Sequence, residues 1–189
     1  MVLKTEHYVL IGFAALVVIF GGWALLTYNG LIGASQGVDA QWANVNTVYQ
    51  RRADLIPNLV SSVKGYMKYE SGLLENITAL RSQWQNAATT ADKIAAGSAM
   101  DSAISRLLVV AENYPDLKAS ESTNKLMDEL AGSENRISVE RMRYNDAVKE
   151  YNLKTKYFPG SIIANMFGFK EKPYFEAAAG AENAPKVEF

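Results

Sequence analysis

Val38-Asp39-Ala40-Gln41-Trp42-Ala43-Asn44-Val45-Asn46-Thr47-Val48-Tyr49-Gln50-Arg51-Arg52-Ala53-Asp54-Leu55-Ile56 carries apolar or aromatic residues at alternating steps of four and three, from Val38 through Trp42, Val45 and Tyr49 to Ile56. The same steps continue to Leu59, Val63, Tyr66, Glu70, Leu73, Ile77, Leu80 and Trp84, with only Arg52 and Glu70 out of character. Such a period over this length is the seam of a helix packed against other helices, so the chain reads as all-α. Unbroken, the helix would be roughly 70 Å long. Pro57 lacks an N–H and crowds the carbonyl of Ala53, so a kink or a restart is expected there. Gly65 and the Ser71-Gly72 pair are further weak points. The seam favours one bent rod, and the breakers favour two shorter helices.

N-terminal to the seam, Tyr8 to Leu26 contains no charge. About 20 apolar residues cross a bilayer core of roughly 30 Å, so this run is read as a transmembrane anchor, residues 8–30, behind a short tail, residues 1–7. A cleaved secretory signal is the rival, with Lys4 in its leader and Gly33, Ala34 and Ser35 resembling a cleavage site, but signal cores are shorter. Tyr8, Trp23 and Tyr28 suit the aromatic belts of a membrane. Lys4 precedes the run, and no Lys or Arg follows it before Arg51. The positive-inside rule therefore leans toward an inner N-terminus and a body on the extracytoplasmic side.

Past the seam, Gln85 to Thr90 reads as a turn. A second helix, capped by Thr90 or Asp92, turns Ile94, Ile104, Leu107, Leu108 and Ala111 inward and ends at Tyr114, because Pro115 disfavours helical geometry before it. After a linker from Pro115 to Ser122, a last helix steps through Leu126, Leu130, Glu134, Ile137, Arg141, Tyr144, Val148, Tyr151, Thr155 and Phe158, and Pro159-Gly160 stops it. Short connections between helical runs make an up-and-down antiparallel bundle of three to four long helices, residues 31–169. Residues 170–189 read as an extended C-terminal tail outside the core.

Composition narrows the function. A net charge of −1 with mixed signs provides no basic stripe for nucleic acid. The absence of cysteine rules out disulfides and thiolate chemistry, and His7 is the only histidine, so neither a histidine triad nor a histidine metal cluster can be assembled from one chain. Asp54, Glu70, Glu112, Asp116 and Glu134 could form a hard-cation or acid–base site, but no Glu-x-x-His spacing accompanies them, and helix salt bridges and caps account for them better. No catalytic residue, metal or cofactor is expected.

The charges inside the seams are more telling. Arg52 and Glu70 are too far apart along one helix to pair. Together with Glu134 and Arg141, each must meet a partner on another helix or lie at the seam edge with its head in water. If buried, they would set helix register.

Several blocks also carry a resemblance. Gln50-Arg51-Arg52-Ala53-Asp54-Leu55-Ile56-Pro57-Asn58-Leu59-Val60 with Val63-Lys64-Gly65-Tyr66 and Glu70 is similar to the central signature of the LemA family. So are Ala111-Glu112-Asn113-Tyr114-Pro115-Asp116-Leu117-Lys118-Ala119, Glu134-Asn135-Arg136-Ile137, Arg141 with Tyr144-Asn145, Val148, Tyr151-Asn152, Phe158-Pro159, and the closing Pro185-Lys186-Val187-Glu188-Phe189. The resemblance implies a membrane-anchored, four-helix-like bundle with no established enzymatic activity. Residues 86–102 carry no clear family motif.

Two functions follow as expectations. In one, the protein is a scaffold or interaction module of the bacterial cell envelope, single-pass in the inner membrane, with the lipid bilayer and either further copies of itself or other envelope proteins as partners. In the other, the Arg51, Arg52, Asp54 and Glu70 region binds a ligand or hydrolyses one. The architectural residues expected to matter are Arg52, Asp54, Pro57, Glu70, Tyr114, Pro115, Glu134, Arg141 and Tyr144. Glu112 to Lys118 reads as a rigid helix-ending linker rather than a partner-docking corner, and Val187-Glu188-Phe189 resembles a ligand for a PDZ-type domain, with a loose terminus as the simpler account.

Overall fold

The computed structural model describes residues 5–118 and 120–176. All regular structure among them is helical: α1 (Thr5–Val63), a 3-10 turn (Lys68–Glu70), α2 (Ser71–Asn86), α3 (Thr90–Ala111), α4 (Pro115–Lys118), α5 (Glu121–Lys156) and α6 (Gly160–Phe167). The described residues form two compact units, one from those up to Ala40 with Asp146 to Lys172, the other from Gln41 to Asn145 with 173–176.

In the second unit, α1, α2, α3 and α5 alternate in direction as an antiparallel bundle. The seam is buried where its period predicts at Val45, Tyr49, Arg52, Ile56, Leu59 and Val63. Helix α1 then stops, and Tyr66 and Met67 both donate their N–H to Val63 O at 2.9 Å. At this break the buried positions slip by one residue, to Met67 and Leu74 with Tyr66 exposed, and the expected positions Ile77 and Trp84 are buried again in α2. The break therefore comes beside Gly65, a poor helix former, and no restart occurs at Pro57, which α1 passes through. Between α2 and α3, Thr89 is the cap, correcting Thr90 or Asp92. Its Oγ accepts from Asp92 N at 3.1 Å and donates to the Asp92 carboxylate at 2.6 Å, and Asp92 adds negative charge in the first turn. Helix α3 closes at Ala111, three residues short of Tyr114. The linker after it holds the short α4, whose Leu117 is buried, so this corner is tucked inward.

Helix α5 buries Leu130, Ile137, Tyr144, Val148, Tyr151 and Thr155 in the expected register. The tail departs from expectation: it is extended, but Phe175 is buried. Two Tyr-Asn pairs one heptad apart on α5 grip its backbone. Tyr144 donates to Pro173 O and Tyr151 to Lys170 O, both at 2.9 Å. Asn145 exchanges two hydrogen bonds of 2.9 Å with the N–H and C=O of Phe175, and Asn152 does the same with Lys172. An amide side chain matches a peptide edge as donor and acceptor, so this segment is held without regard to most of its side chains. Val187-Glu188-Phe189 lies outside the described residues.

In the first unit, α1 from Tyr8 to Leu26 is solvent-facing apart from Trp23 and Ala24. Beyond it, Leu31, Ile163 and Ala164 make a small core with Trp23, Ala24, Tyr28 and Phe169. Helix α1 is long and apolar enough to cross a membrane. Helix α3 passes the same test, but its inward face carries Met100, Asp101, Ala103, Ile104 and Leu107 into the bundle, so it is a core helix.

Candidate functional site

Inside the second unit the seam charges meet. Arg52 is fully buried, and its guanidinium reaches two helices: Nε donates to Ser133 Oγ at 2.7 Å and Nη2 to Glu134 Oε2 at 2.8 Å on α5, while Nη1 bonds Asp101 on α3. Ser133 in turn donates to Leu130 O at 2.6 Å. Arg141 bonds the other Asp101 oxygen and the Tyr49 hydroxyl oxygen, and Tyr49 donates to Asp101 at 2.7 Å. Two guanidiniums and two carboxylates cancel, and a planar five-donor group suits this bridging as an ammonium would not. Glu134 is the half-exposed, water-facing end of the chain of bonds.

An aromatic wall closes the network. The Tyr49 ring stacks on Trp84 at 5.9 Å and on Phe175 at 6.3 Å, and Arg141 lies 4.9 Å from the Phe175 ring. Trp42 and Tyr144 extend the cluster, their centroids 5.5 Å apart. Gly97 on α3 makes room for this packing, since a Cβ there would come 2.9 Å from the Tyr49 ring.

Burial shapes the ionisation. It pushes the Tyr49 phenol well above its ordinary value, reinforced by the Asp101 charge, so Tyr49 stays protonated. Burial also pushes the Asp101 carboxyl up, against the pull of Arg141 and Arg52. At Arg141 burial works against the charge, but Asp101, Tyr49 and Glu134 together outweigh it and hold the guanidinium above its usual value. Both Asp101 oxygens are taken by these partners, which leaves this carboxylate no position as a base for an outside substrate. Among the described residues no group of His, Asp or Glu is placed to hold a metal ion.

The structure brings Arg52, Glu134 and Arg141 into one network and sets the remaining sequence candidates elsewhere. Glu70 ends the 3-10 turn beyond α1. Asp54 is exposed and accepts from Gln50 at 2.8 Å, and Arg51 pairs at the surface with Glu129 at 2.6 Å. The four residues of the ligand-site expectation are therefore not brought together: Arg51 and Asp54 share a surface groove, Arg52 points into the bundle as adjacent helical residues diverge, and Glu70 lies past the end of α1. Tyr114 and Pro115 form the α3–α4 corner, where Leu117 N donates to Tyr114 O at 3.1 Å. Tyr144 holds the extended segment. Sequence reasoning missed Asp101, Ser133, Asn145 and Phe175. Asp101 had a signal, being seven residues after Ile94 and three before Ile104, on the apolar face of α3.

The LemA family profile matches residues 41–189. The chain is similar to "Magnetosome protein MamQ 2" of Paramagnetospirillum magneticum, 25% identical across 85% of this chain and 68% of that protein. It is also similar to "Magnetosome protein MamQ" of Magnetospirillum gryphiswaldense, 24% identical across 82% and 67%. "Protein LemA" of Metamycoplasma hominis is 27% identical across 71% of this chain and 62% of its own length.

Proposed function

The chain belongs to the LemA family, matched over residues 41–189, and from this membership we propose that it is a membrane-anchored scaffold or interaction protein of the bacterial cell envelope rather than an enzyme. The observation that carries the reading is the apolar surface of α1. Val9, Leu10, Phe13, Val18, Phe20, Leu25 and Leu26 are all exposed, a surface whose transfer from water to lipid is strongly favourable. The bundle supports it, because its buried and half-buried charged groups, Arg52, Asp101 and Arg141, are spent on one another and on holding helices together. Lys4 before the span, with no Lys or Arg after it before Arg51, supports an inner N-terminus and a bundle on the extracytoplasmic face. Further copies of the chain are its expected first partner.

The test is extraction and mass. The full-length protein should stay with membranes through alkaline carbonate and leave them only in detergent. Light scattering in mild detergent should then give a defined multiple of the 20.8 kDa chain. Release by carbonate would remove the anchor, and a clean monomer would remove self-assembly and leave other envelope proteins as the partner.

A further inference from the structure

The segment Tyr157 to Phe169 contains thirteen residues and no charge, and it is flanked by Lys156 and Lys170. It is too short to cross a bilayer, for which about 20 residues are needed. Most of it forms α6, whose Ile163 and Ala164 pack on Leu31 among Trp23, Ala24, Tyr28 and Phe169. Phe167 and Phe169 meet the Tyr28 ring at 4.7 and 5.8 Å. Helix α6 is thus fixed at the end of the apolar run of α1, beside the aromatic residues suited to a membrane interface.

Its other face is uncovered. Phe158 is 80% exposed, Met166 70%, Tyr157 67% and Phe167 57%. Tyr157 and Phe158 line a groove with Thr27, Gly30 and Leu31 of α1, and Phe167 meets Tyr28, just past the exposed Leu25 and Leu26 in the chain. Gly160 fixes the turn between α5 and α6, because a Cβ there would come 2.3 Å from the Lys154 carbonyl oxygen.

We propose that α6 and the Tyr157-Phe158 turn form a second membrane contact, embedded in the lipid interface around the outer end of the anchor. The occupant of this face is the bilayer itself. The position of these exposed apolar side chains at the end of the span argues for it, as do the uncharged run with a lysine at each end and a length that permits lying in the interface but not crossing it. The proposal rests on the anchor reading above. It turns the anchor from a single tether into a footing with two contacts, which restrains the tilt of the first unit on the membrane.

The chain has no cysteine, so single cysteines can report position. Full-length variants Phe158→Cys, Met166→Cys, Val17→Cys and Ser102→Cys, each carrying an environment-sensitive fluorophore, would be placed in vesicles of phosphatidylethanolamine and phosphatidylglycerol. They would be quenched with lipids bearing a nitroxide near the headgroup or deep in the acyl chain. The expected pattern is deep quenching at Val17, shallow quenching at Phe158 and Met166, and quenching at Ser102 only by an aqueous agent. If Phe158 and Met166 behave like Ser102 while Val17 is quenched by lipid, the interfacial contact is overturned and the anchor stands. If they are shielded from both lipid and aqueous quenchers, a protein surface covers them and the lipid assignment fails. Water access at Val17 would overturn the anchor and this inference together.

Discussion

The guanidinium of Arg81 on α2 donates through Nε to the carbonyl oxygen of Ala53 on α1 at 2.7 Å. This is the carbonyl that the residue four positions on would normally bond, and that residue is Pro57, which has no N–H. Ala53 is fully buried, so its oxygen would otherwise lack a donor. A side chain from the neighbouring helix thus replaces the missing backbone bond, and α1 continues to Val63.

The two residues should therefore be energetically coupled. Arg81→Met is expected to cost about 1–3 kcal/mol, the penalty of a buried unsatisfied carbonyl. In a Pro57→Ala background, which restores the backbone donor, the same change should cost clearly less. Urea denaturation of the four proteins in detergent measures the cycle, and equal costs in both backgrounds would remove the coupling.

Arg52 bridges α1 to α3 and α5, so losing it takes the partner from one Asp101 oxygen and from Glu134 and leaves Asp101 to Arg141 and Tyr49. Arg52→Met should destabilise the bundle by about 3–5 kcal/mol. Arg52→Lys should fall between, because an ammonium keeps the charge but not the fork. Thermal unfolding by circular dichroism gives the order, and a lysine variant as stable as wild type would show that the bridging geometry contributes nothing.

The raised Tyr49 phenol gives an alkaline signature. The native state holds this proton to higher pH than the unfolded chain, whose phenol titrates near 10. The associated stability is complete below that value and is lost as pH rises above it. The melting-temperature advantage of wild type over Tyr49→Phe should thus shrink between about pH 9 and about pH 11. A constant or growing advantage would contradict the protonated, buried assignment.

Asn145 holds both polar groups of the Phe175 backbone. Asn145→Leu should release this segment at a cost of about 1–3 kcal/mol and speed exchange of the Phe175 amide, with little change at Ser102 on exposed α3 surface. Hydrogen exchange read by mass spectrometry checks it. Unchanged protection at Phe175 would mean that its ring alone fixes the segment.

Residue order was sufficient wherever the physics is local or periodic. The uncharged run from Tyr8, the heptad face from Val38 to Val63 and the face of α5 from Leu130 to Thr155 all follow from the need to hide apolar side chains on one side of a helix. The charges at Arg52, Glu134 and Arg141 stood out because they interrupt those faces. Which of them meet depended on how the helices lie side by side, a relation carried by no short stretch of chain. Asp101 joins Arg52 and Arg141 across gaps of 49 and 40 residues, while Glu70, equally out of place in the pattern, falls past the end of α1. The helix through Pro57 and the burial of Phe175 have the same origin. Arg81 and Asn145 supply backbone partners from distant positions, and hydrogen-bond satisfaction is settled only when the chain has folded back on itself.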